Sequence, residues 1–248
     1  MPYDEARAAR YDQAHAARFA EAGAVATALL ALLPERAAGG AARILELGVG
    51  TGRLAIPLAA TGAEVWGIDS SDPMLDRLGA KPGGDRVRAV AGDFTAPDEV
   101  VDGPFDLAFV AFNTVFELPT QDAQLRCLSG VARLLSPDAA LVVEALAPDL
   151  TRLEQTVAAV SITGDAAVLQ ATRHDPATQQ VTGADVAVAA DGTVSLSPWS
   201  IRYVSVPELD LMARLAGLRL RARWGGWHRQ PFTAASTAHV SVYEREQP

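Results

Sequence analysis

The stretch Arg43-Ile-Leu-Glu-Leu-Gly-Val-Gly-Thr-Gly-Arg-Leu54 carries the strongest structural signal in this chain. An apolar run stops at three alternate glycines, Gly48, Gly50 and Gly52, and helix-compatible residues follow. This order predicts a buried strand, a glycine turn and a helix N-terminus, which together place backbone N–H groups around a polar ligand. The G-x-G-x-G spacing differs from the G-x-G-x-x-G of dinucleotide-binding enzymes.

Short apolar segments and helical segments alternate on both sides of this turn. The predicted strands are 43–47, 64–68, 86–90, 105–110 and 139–145, and the predicted helices are 52–60, a helix capped by Ser71 or Asp72, and 121–134. Such alternation predicts an α/β fold with a Rossmann-like, doubly wound, mostly parallel sheet that is covered on both faces. Functional residues are then expected at the carboxyl ends of the strands.

The hydrophobic period changes after Pro148. Residues 154–205 alternate in the manner of strands between turn signals, which predicts an inserted antiparallel β-meander. A last helix is expected from Pro207 to Gly217, followed by two strands that form a C-terminal antiparallel hairpin, 218–224 and 239–245. We therefore expect one domain, 1–248, in four parts: a helical cap (1–40, with its helix at 4–33), a cofactor-binding core (41–150), the inserted sheet (151–205) and a C-terminal completion of the core (206–248).

Composition narrows the class of partner. The 248 residues include 21 Lys and Arg and 30 Asp and Glu, a net charge of −9, which disfavours nucleic acid and anionic membranes as partners. The acidic balance suits a cationic small molecule, or serves solubility alone. A single cysteine, Cys127, allows no intrachain disulfide. With no signal-peptide pattern and no apolar run of about 20 residues, we expect a cytoplasmic protein.

Two acidic positions follow predicted strands. Asp69 ends the second strand, 17 residues after Gly52. A carboxylate at this position can accept hydrogen bonds from both ribose hydroxyls of a nucleoside cofactor. Asp69 alone does not distinguish S-adenosylmethionine from NAD, and a plain helix cap is the alternative. Gly92-Asp93-Phe94 follows the third strand.

Together these motifs resemble the class I S-adenosylmethionine-dependent methyltransferases, whose first motif, E/D-x-G-x-G-x-G, is matched by Glu46, Gly48, Gly50 and Gly52. The resemblance implies S-adenosylmethionine as cofactor, with Asp93 at the adenine amino group and Phe94 on the ring. Met74 is a second face for adenine or a helix core residue. The implied cofactor-binding set is completed by Tyr11, Asp69, Ser70, Gly92, Ala111, Phe112 and Phe116.

The exit of the fourth strand, Ala111-Phe112-Asn113-Thr114-Val115-Phe116, resembles a small-molecule branch that includes sugar N,N-dimethyltransferases and relatives of glycine N-methyltransferase. The resemblance implies that Phe112 and Phe116 surround the methyl group. Asn113 either orients the substrate or caps the next turn. The inserted sheet is implied to roof the pocket or to support a homodimer.

Methyl transfer from a sulfonium is an in-line displacement that needs mainly alignment. His15 and His228 are the candidate general bases for a hydroxyl acceptor, although a lone histidine is more often a surface residue or one whose hydrogen bonds are satisfied. Four scattered histidines and one cysteine predict no metal site. We therefore expect a small-molecule N- or O-methyltransferase, with secondary metabolism as the candidate setting. The alternatives are a protein of the same fold that binds the cofactor but catalyses a reaction other than methyl transfer, and, less favoured, an NAD-dependent oxidoreductase.

Overall fold

The computed structural model describes residues 3–37, 42–148, 156–162 and 166–246. Within these ranges the strands are β1 Arg43–Leu47, β2 Glu64–Asp69, β3 Val87–Ala91, β4 Phe105–Val110, β5 Leu135–Leu146, β6 Thr156–Ile162, β7 Ala166–Asp175, β8 Gln180–Ala189, β9 Val194–Arg202, β10 Leu218–Trp224 and β11 Ala238–Arg245. The α-helices are α1 Glu5–Ala14, α2 Ala16–Ala20, α3 Ala22–Leu30, α4 Ala55–Ala59, α5 Asp72–Ala80, α6 Gln121–Leu134 and α7 Val206–Leu215.

The larger sheet has seven strands in the order β10-β11-β5-β4-β1-β2-β3. The strands β3, β2, β1, β4 and β5 pair in parallel, and β11 joins β5 in antiparallel fashion, with β10 beside it. This confirms the predicted mostly parallel sheet with a C-terminal antiparallel hairpin. The strand order reverses between β1 and β4, which is where ligands bind in open α/β sheets.

Helices cover both faces of this sheet, so its central strands are buried on both sides. Every residue of β4 is buried, as expected for a continuous apolar run in a parallel sheet. One hydrophobic cluster contains Phe105, Phe116 and the inner face of α6, and the other contains Phe109 and the inner faces of α3 and α4. The two clusters fix the carboxyl edge of the sheet in place.

The second sheet is antiparallel, with the order β6-β7-β8-β9, and it follows β5 in the chain. This confirms the inserted meander. Buried Arg202, at the end of β9, anchors it by donating hydrogen bonds to Gln124 on α6 and Glu208 on α7, at 2.5 and 2.7 Å. The predicted domain boundaries at 40/41 and 150/151, and residues 154–155 of the predicted meander, lie outside the described residues.

Two predicted helices differ from the structure. The N-terminal helix expected over 4–33 is divided into α1, α2 and α3, with breaks at His15 and Glu21. His15 has φ −114° and ψ 24°, outside the helical region, and its ring lies against Phe112. The helix expected over 52–60 is reduced to α4, because Gly52 has φ +81° and a left-handed residue cannot begin a right-handed helix.

Candidate active site

The glycine turn after β1 lies at the strand-order reversal and requires glycine at its first position. Gly48, Gly50 and Gly52 all have positive φ, of 70°, 53° and 81°. A Cβ on Gly48 would lie 2.3 Å from the Cγ2 atom of Thr114, so a side chain there would collide as well as strain the backbone. The turn therefore brings backbone close to the exit of β4.

Asp69, at the end of β2, holds this turn. Its Oδ2 atom accepts a hydrogen bond from Gly50 N at 2.8 Å, and its Oδ1 atom accepts one from Ser71 N at 2.9 Å. Burial raises the pKa of the Asp69 carboxyl above its ordinary value, and the N–H donors of Ser71, Gly50 and Ser70 oppose that rise. Ser70 is exposed beside it at the cavity wall.

A cavity of about 490 Å³ opens in front of this turn, and we call it the cofactor cavity. Met74 from α5 and Phe94 after β3 are both buried residues of its wall. Exposed Asp93 lies beside them and accepts a hydrogen bond from Thr95 N through Oδ1 at 2.8 Å. The rest of the cofactor cavity is lined by Tyr3, Tyr11, His15, Gly48, Gly50, Asp69, Ser70, Phe112, Thr114, Glu117, Leu118, Pro119 and Ser200.

A small space of about 30 Å³ continues behind the turn, between Glu46, Arg53 and Tyr11. Glu46 is 5% exposed, and its Oε2 atom has no hydrogen-bond partner among the described residues. Burial raises the pKa of its carboxyl to about 8, and the Arg53 charge opposes that rise. Thr51 and Ala111 also line this space. Since a buried carboxylate oxygen without a donor is costly, this space favours a cationic ligand group.

The N-terminal helix α1 lies across the cavities and is held by side chains on both sides of the turn. Thr51 Oγ1 donates to Asp12 at 2.6 Å, and Lys81 forms an ion pair with the same carboxylate. At the other end, Ser71 Oγ donates to the carbonyl of Tyr3 at 2.6 Å. The helix therefore closes over the ligand-binding edge of the sheet.

Three rings form a continuous row that runs from α1 through its C-cap to the exit of β4. Tyr11 and His15 have ring centroids 4.6 Å apart, and His15 and Phe112 have centroids 5.1 Å apart, both edge-on. Burial lowers the pKa of His15, and the positive charges of Arg53 and Arg18 lower it further. His15 is therefore neutral at pH 7 and presents an uncharged ring rather than a cation.

Phe112 is held in an unusual backbone conformation. Its φ is 56°, in the left-handed region that residues other than glycine seldom adopt. The carboxylate of Glu144 on β5 accepts a hydrogen bond from Phe112 N at 2.9 Å, and the Glu144 carbonyl accepts one from Asn113 N at 3.2 Å. These contacts compensate for the strain and direct the ring toward the cofactor cavity.

A second cavity, of about 540 Å³, lies between α1 and one face of the inserted sheet, and we call it the acceptor cavity. Trp199, Asp185 and Gln170 line it from the sheet, and Asp185 Oδ1 accepts hydrogen bonds from Gln170 at 2.9 Å and Trp199 at 3.3 Å. The remaining wall consists of Tyr3, Arg7, Arg10, Tyr11, Ala14, His15, Glu117, Val168, Ala187, Ser195, Ser197, Ser200 and Ile201.

Three predicted residues do not reach these cavities. The side chain of Asn113 does not cap the next turn and lines none of these cavities, and its Oδ1 atom instead accepts a hydrogen bond from Leu146 N at 2.7 Å. Phe116 is 2% exposed within the hydrophobic core, because the 3-10 turn at Thr114–Glu117 directs it inward. His228 is exposed in the turn after β10, which lies two strands beyond β5, and it lines none of the cavities described above.

Two predicted glycines support the site from behind. Gly52 lies outside the cavity lining, and a Cβ there would be 3.0 Å from Ile56 and Leu78. Gly92 allows close packing on Val100, which a Cβ would approach to 2.6 Å.

The sequence did not predict Arg53, Glu117 or any of the acceptor cavity as part of the site. An Arg after a glycine turn is typical of a helix surface, and the inserted strands carry no motif.

Within the described ranges, no group of three or more His, Cys, Asp or Glu is placed to hold a metal ion. None of the described helices combines the length and apolar character needed to cross a bilayer.

Comparison with known proteins gives the family. Residues 44–138 match the model of a methyltransferase domain. The chain is 32% identical over 206 residues to the cypemycin N-terminal methyltransferase of a Streptomyces species, covering 82% of this chain and 83% of that protein. These matches are inconsistent with the NAD-dependent alternative.

Solved structures agree with this match. The CcbJ methyltransferase from Streptomyces caelestis superposes with a TM-score of 0.82 at 38% identity, over 92% of this chain and 90% of that one. CalS10 from Micromonospora echinaspora, an amino pentose methyltransferase solved with S-adenosylmethionine bound, shares the fold with a TM-score of 0.71 at 22% identity, over 99% of this chain and 98% of that one. The chain therefore belongs to the class I S-adenosylmethionine-dependent methyltransferases, with S-adenosylmethionine as its cofactor.

Proposed function

We propose that this methyltransferase binds S-adenosylmethionine in the cofactor cavity and methylates a small-molecule acceptor in the acceptor cavity. The observation that carries the proposal is that the two cavities share five lining residues, Tyr3, Tyr11, His15, Glu117 and Ser200. A nucleoside cofactor on one side and an acceptor on the other would therefore meet under α1. Alignment of two bound reactants is the main requirement of this transfer.

The nucleoside half of the cofactor fits the wider part of the cofactor cavity. Gly50 N and Ser71 N donate to Asp69, and carboxylate oxygens can accept further hydrogen bonds, here from the ribose hydroxyls. Met74 and Phe94 supply apolar surfaces for adenine, and Asp93 supplies an acceptor for its amino group.

The amino-acid half fits the small space behind the turn. The unpartnered Oε2 atom of Glu46 suits an ammonium group, and the guanidinium of Arg53 suits a carboxylate. Tyr11 closes this space and also reaches the acceptor cavity. When bound, the cofactor supplies a methyl group already activated on a sulfonium. The chain's own residues then need to orient the acceptor and exclude water. We propose that the row of rings formed by Tyr11, His15 and Phe112 does both.

The acceptor cavity supports methyl transfer to a second bound molecule. Its wall mixes serine hydroxyls, charged groups and aromatic rings, which suits a polar small molecule with hydroxyl groups. The solved relative CalS10 is named for an amino pentose, and we propose an acceptor of comparable size, methylated on nitrogen or oxygen. The homodimer and the cytoplasmic location expected from the sequence remain part of this proposal.

A substitution that fills the acceptor cavity tests the proposal. Ala187 lines the cavity from β8, whereas Ala184 lies on the opposite face of the same strand. We expect Ala187→Trp to abolish methyl transfer to a panel of hydroxylated amines and phenols, while its affinity for S-adenosylmethionine by calorimetry is unchanged. Ala184→Trp is the matched control and should retain both. Full methyl transfer by Ala187→Trp would place the acceptor elsewhere.

A further inference from the structure

We infer that the acceptor is a cationic amine, bound through its ammonium group by Glu117, with Asp185 as a second carboxylate on the sheet side of the acceptor cavity. This inference rests on the proposed function, since it assigns the chemistry of the acceptor that the two cavities would bring to the cofactor. It adds Glu117 and Asp185 to the residues that determine acceptor choice.

Glu117 is placed at the junction of the two cavities. It ends the 3-10 turn that follows β4, and it lines both the cofactor cavity and the acceptor cavity. Of the residues shared by the two described linings, Glu117 alone carries a carboxylate. A group bound to it would therefore lie where the methyl group must be transferred.

The charges around this junction are predominantly negative. Burial raises the pKa of the Tyr3 hydroxyl, and the nearby carboxylates of Glu117, Asp69 and Asp185 raise it further, while Arg7 opposes them. Arg7 lies over the Tyr3 ring at 4.3 Å, and Arg10 is exposed at the cavity wall. The two linings together hold the carboxylates Asp69, Asp93, Glu117 and Asp185 against the two arginines, and this excess of negative charge favours a cation in the space between them.

Aromatic rings complete a site for a cation. Tyr3, Tyr11 and Trp199 line the acceptor cavity, and ring faces attract ammonium groups. His15 adds no positive charge, because burial and the neighbouring Arg53 and Arg18 lower its pKa. A neutral hydroxyl acceptor would gain little from this arrangement, whereas a protonated amine gains from both the carboxylates and the rings.

Glu117 also suits removal of the proton that an amine must lose. Its side chain is accessible from the cavities, yet surrounding protein limits the water near its carboxyl, so burial and the Asp69 charge raise its pKa, with Arg7 opposing. The ammonium gives one proton to Glu117, and the nitrogen lone pair forms the new N–C bond. With S-adenosylmethionine bound, its S–C bond would break with the electron pair on sulfur, which would leave a neutral thioether and an N-methyl ammonium.

Binding to the protein saturated with S-adenosylhomocysteine tests this without requiring turnover. The probes are hydroxylated alkylamines and the matched alcohols in which hydroxyl replaces the amino group, titrated by calorimetry at pH 7. We expect amines to bind and matched alcohols to bind at least about tenfold more weakly, as for loss of a charged hydrogen bond. Glu117→Gln should weaken amine binding by about tenfold or more, and Asp185→Asn by a smaller factor.

Glu99→Gln is the control, because Glu99 is an exposed carboxylate outside both cavities. Each variant is saturated with S-adenosylhomocysteine before titration, and a circular dichroism spectrum that matches the wild type establishes that it is folded. Three results would overturn the inference: alcohols binding as tightly as amines, Glu117→Gln binding amines as the wild type does, or no amine binding at all. Failure of the wild type to bind S-adenosylhomocysteine would instead refute the proposed function.

Discussion

The carboxylate of Asp69 accepts a hydrogen bond from the backbone N–H of Gly50 at 2.8 Å. This contact joins the end of β2 to the middle of the glycine turn after β1. One side chain therefore both holds the turn and presents a carboxylate to the cofactor cavity. The sequence motif and the acidic residue that follows it along the chain are parts of one unit.

Removing this carboxylate should weaken cofactor binding. We expect Asp69→Ala to make the free energy of S-adenosylmethionine binding less favourable by about 1–3 kcal/mol, because a charged hydrogen-bond acceptor and the support of the turn are both lost. Calorimetry measures this directly. Asp76→Ala, an exposed carboxylate on α5, is the matched control and should bind normally. Unchanged affinity in Asp69→Ala would refute the ribose role.

The close approach of the turn to Thr114 gives a second test. Gly48→Ala introduces a methyl group that collides with Thr114 Cγ2 at a residue with φ +70°, so we expect lost cofactor binding and a Tm lower by at least about 5 °C. Gly62 also has positive φ, but no atom would contact a Cβ there, so Gly62→Ala should lower stability without affecting cofactor binding. Thr114→Ser removes the Cγ2 atom, so the double variant Gly48→Ala/Thr114→Ser should regain part of the lost binding and Tm. If it regains neither, the backbone strain at residue 48 alone causes the loss, and the collision does not contribute.

The raised pKa of Glu46 predicts proton release on cofactor binding. The free protein holds this carboxyl protonated up to a pKa of about 8, and a bound ammonium would favour the ionised form. Near pH 6.5, binding of S-adenosylmethionine should release up to one proton, measured by calorimetry in buffers of different ionisation enthalpy. Glu46→Gln should bind more weakly and release less. Equal release by both proteins would exclude Glu46 as the ammonium ligand.

The same carboxyl has a defined effect on the stability of the free protein. Since its pKa is higher in the folded than in the unfolded state, its contribution to stability is fully present below the unfolded value and is lost as pH rises toward 8. Glu46→Gln mimics the protonated form at every pH. The stability of the wild type relative to Glu46→Gln, from denaturant unfolding, should therefore fall between pH 5 and pH 8.

The two histidines proposed from the sequence should behave differently. His15→Ala removes the ring between Tyr11 and Phe112, so we expect turnover to fall by at least about tenfold through loss of alignment. His228→Ala should change turnover by less than about twofold for any acceptor, because His228 is exposed outside the cavity linings. A large loss in His228→Ala would show that the turn after β10 contributes to catalysis.

The fold was predictable from the sequence because its signals are local. The glycine turn, the buried strands and the Ser71 helix cap each follow from a few neighbouring residues, and Ser71 does cap α5. The acceptor cavity was not predictable, because it depends on which face of an inserted sheet meets α1. Phe116 shows the same limit, since a single 3-10 turn decides whether an aromatic residue after β4 points into the core or the cavity.

A crystal structure with S-adenosylhomocysteine bound tests the central claim most directly. We predict ribose hydroxyls within about 3 Å of Asp69, the amino group at Glu46, and the sulfur facing the junction of the two cavities beside Glu117. A sulfur atom directed away from the acceptor cavity, or a ligand bound without contact to Asp69 and Glu46, would contradict the account.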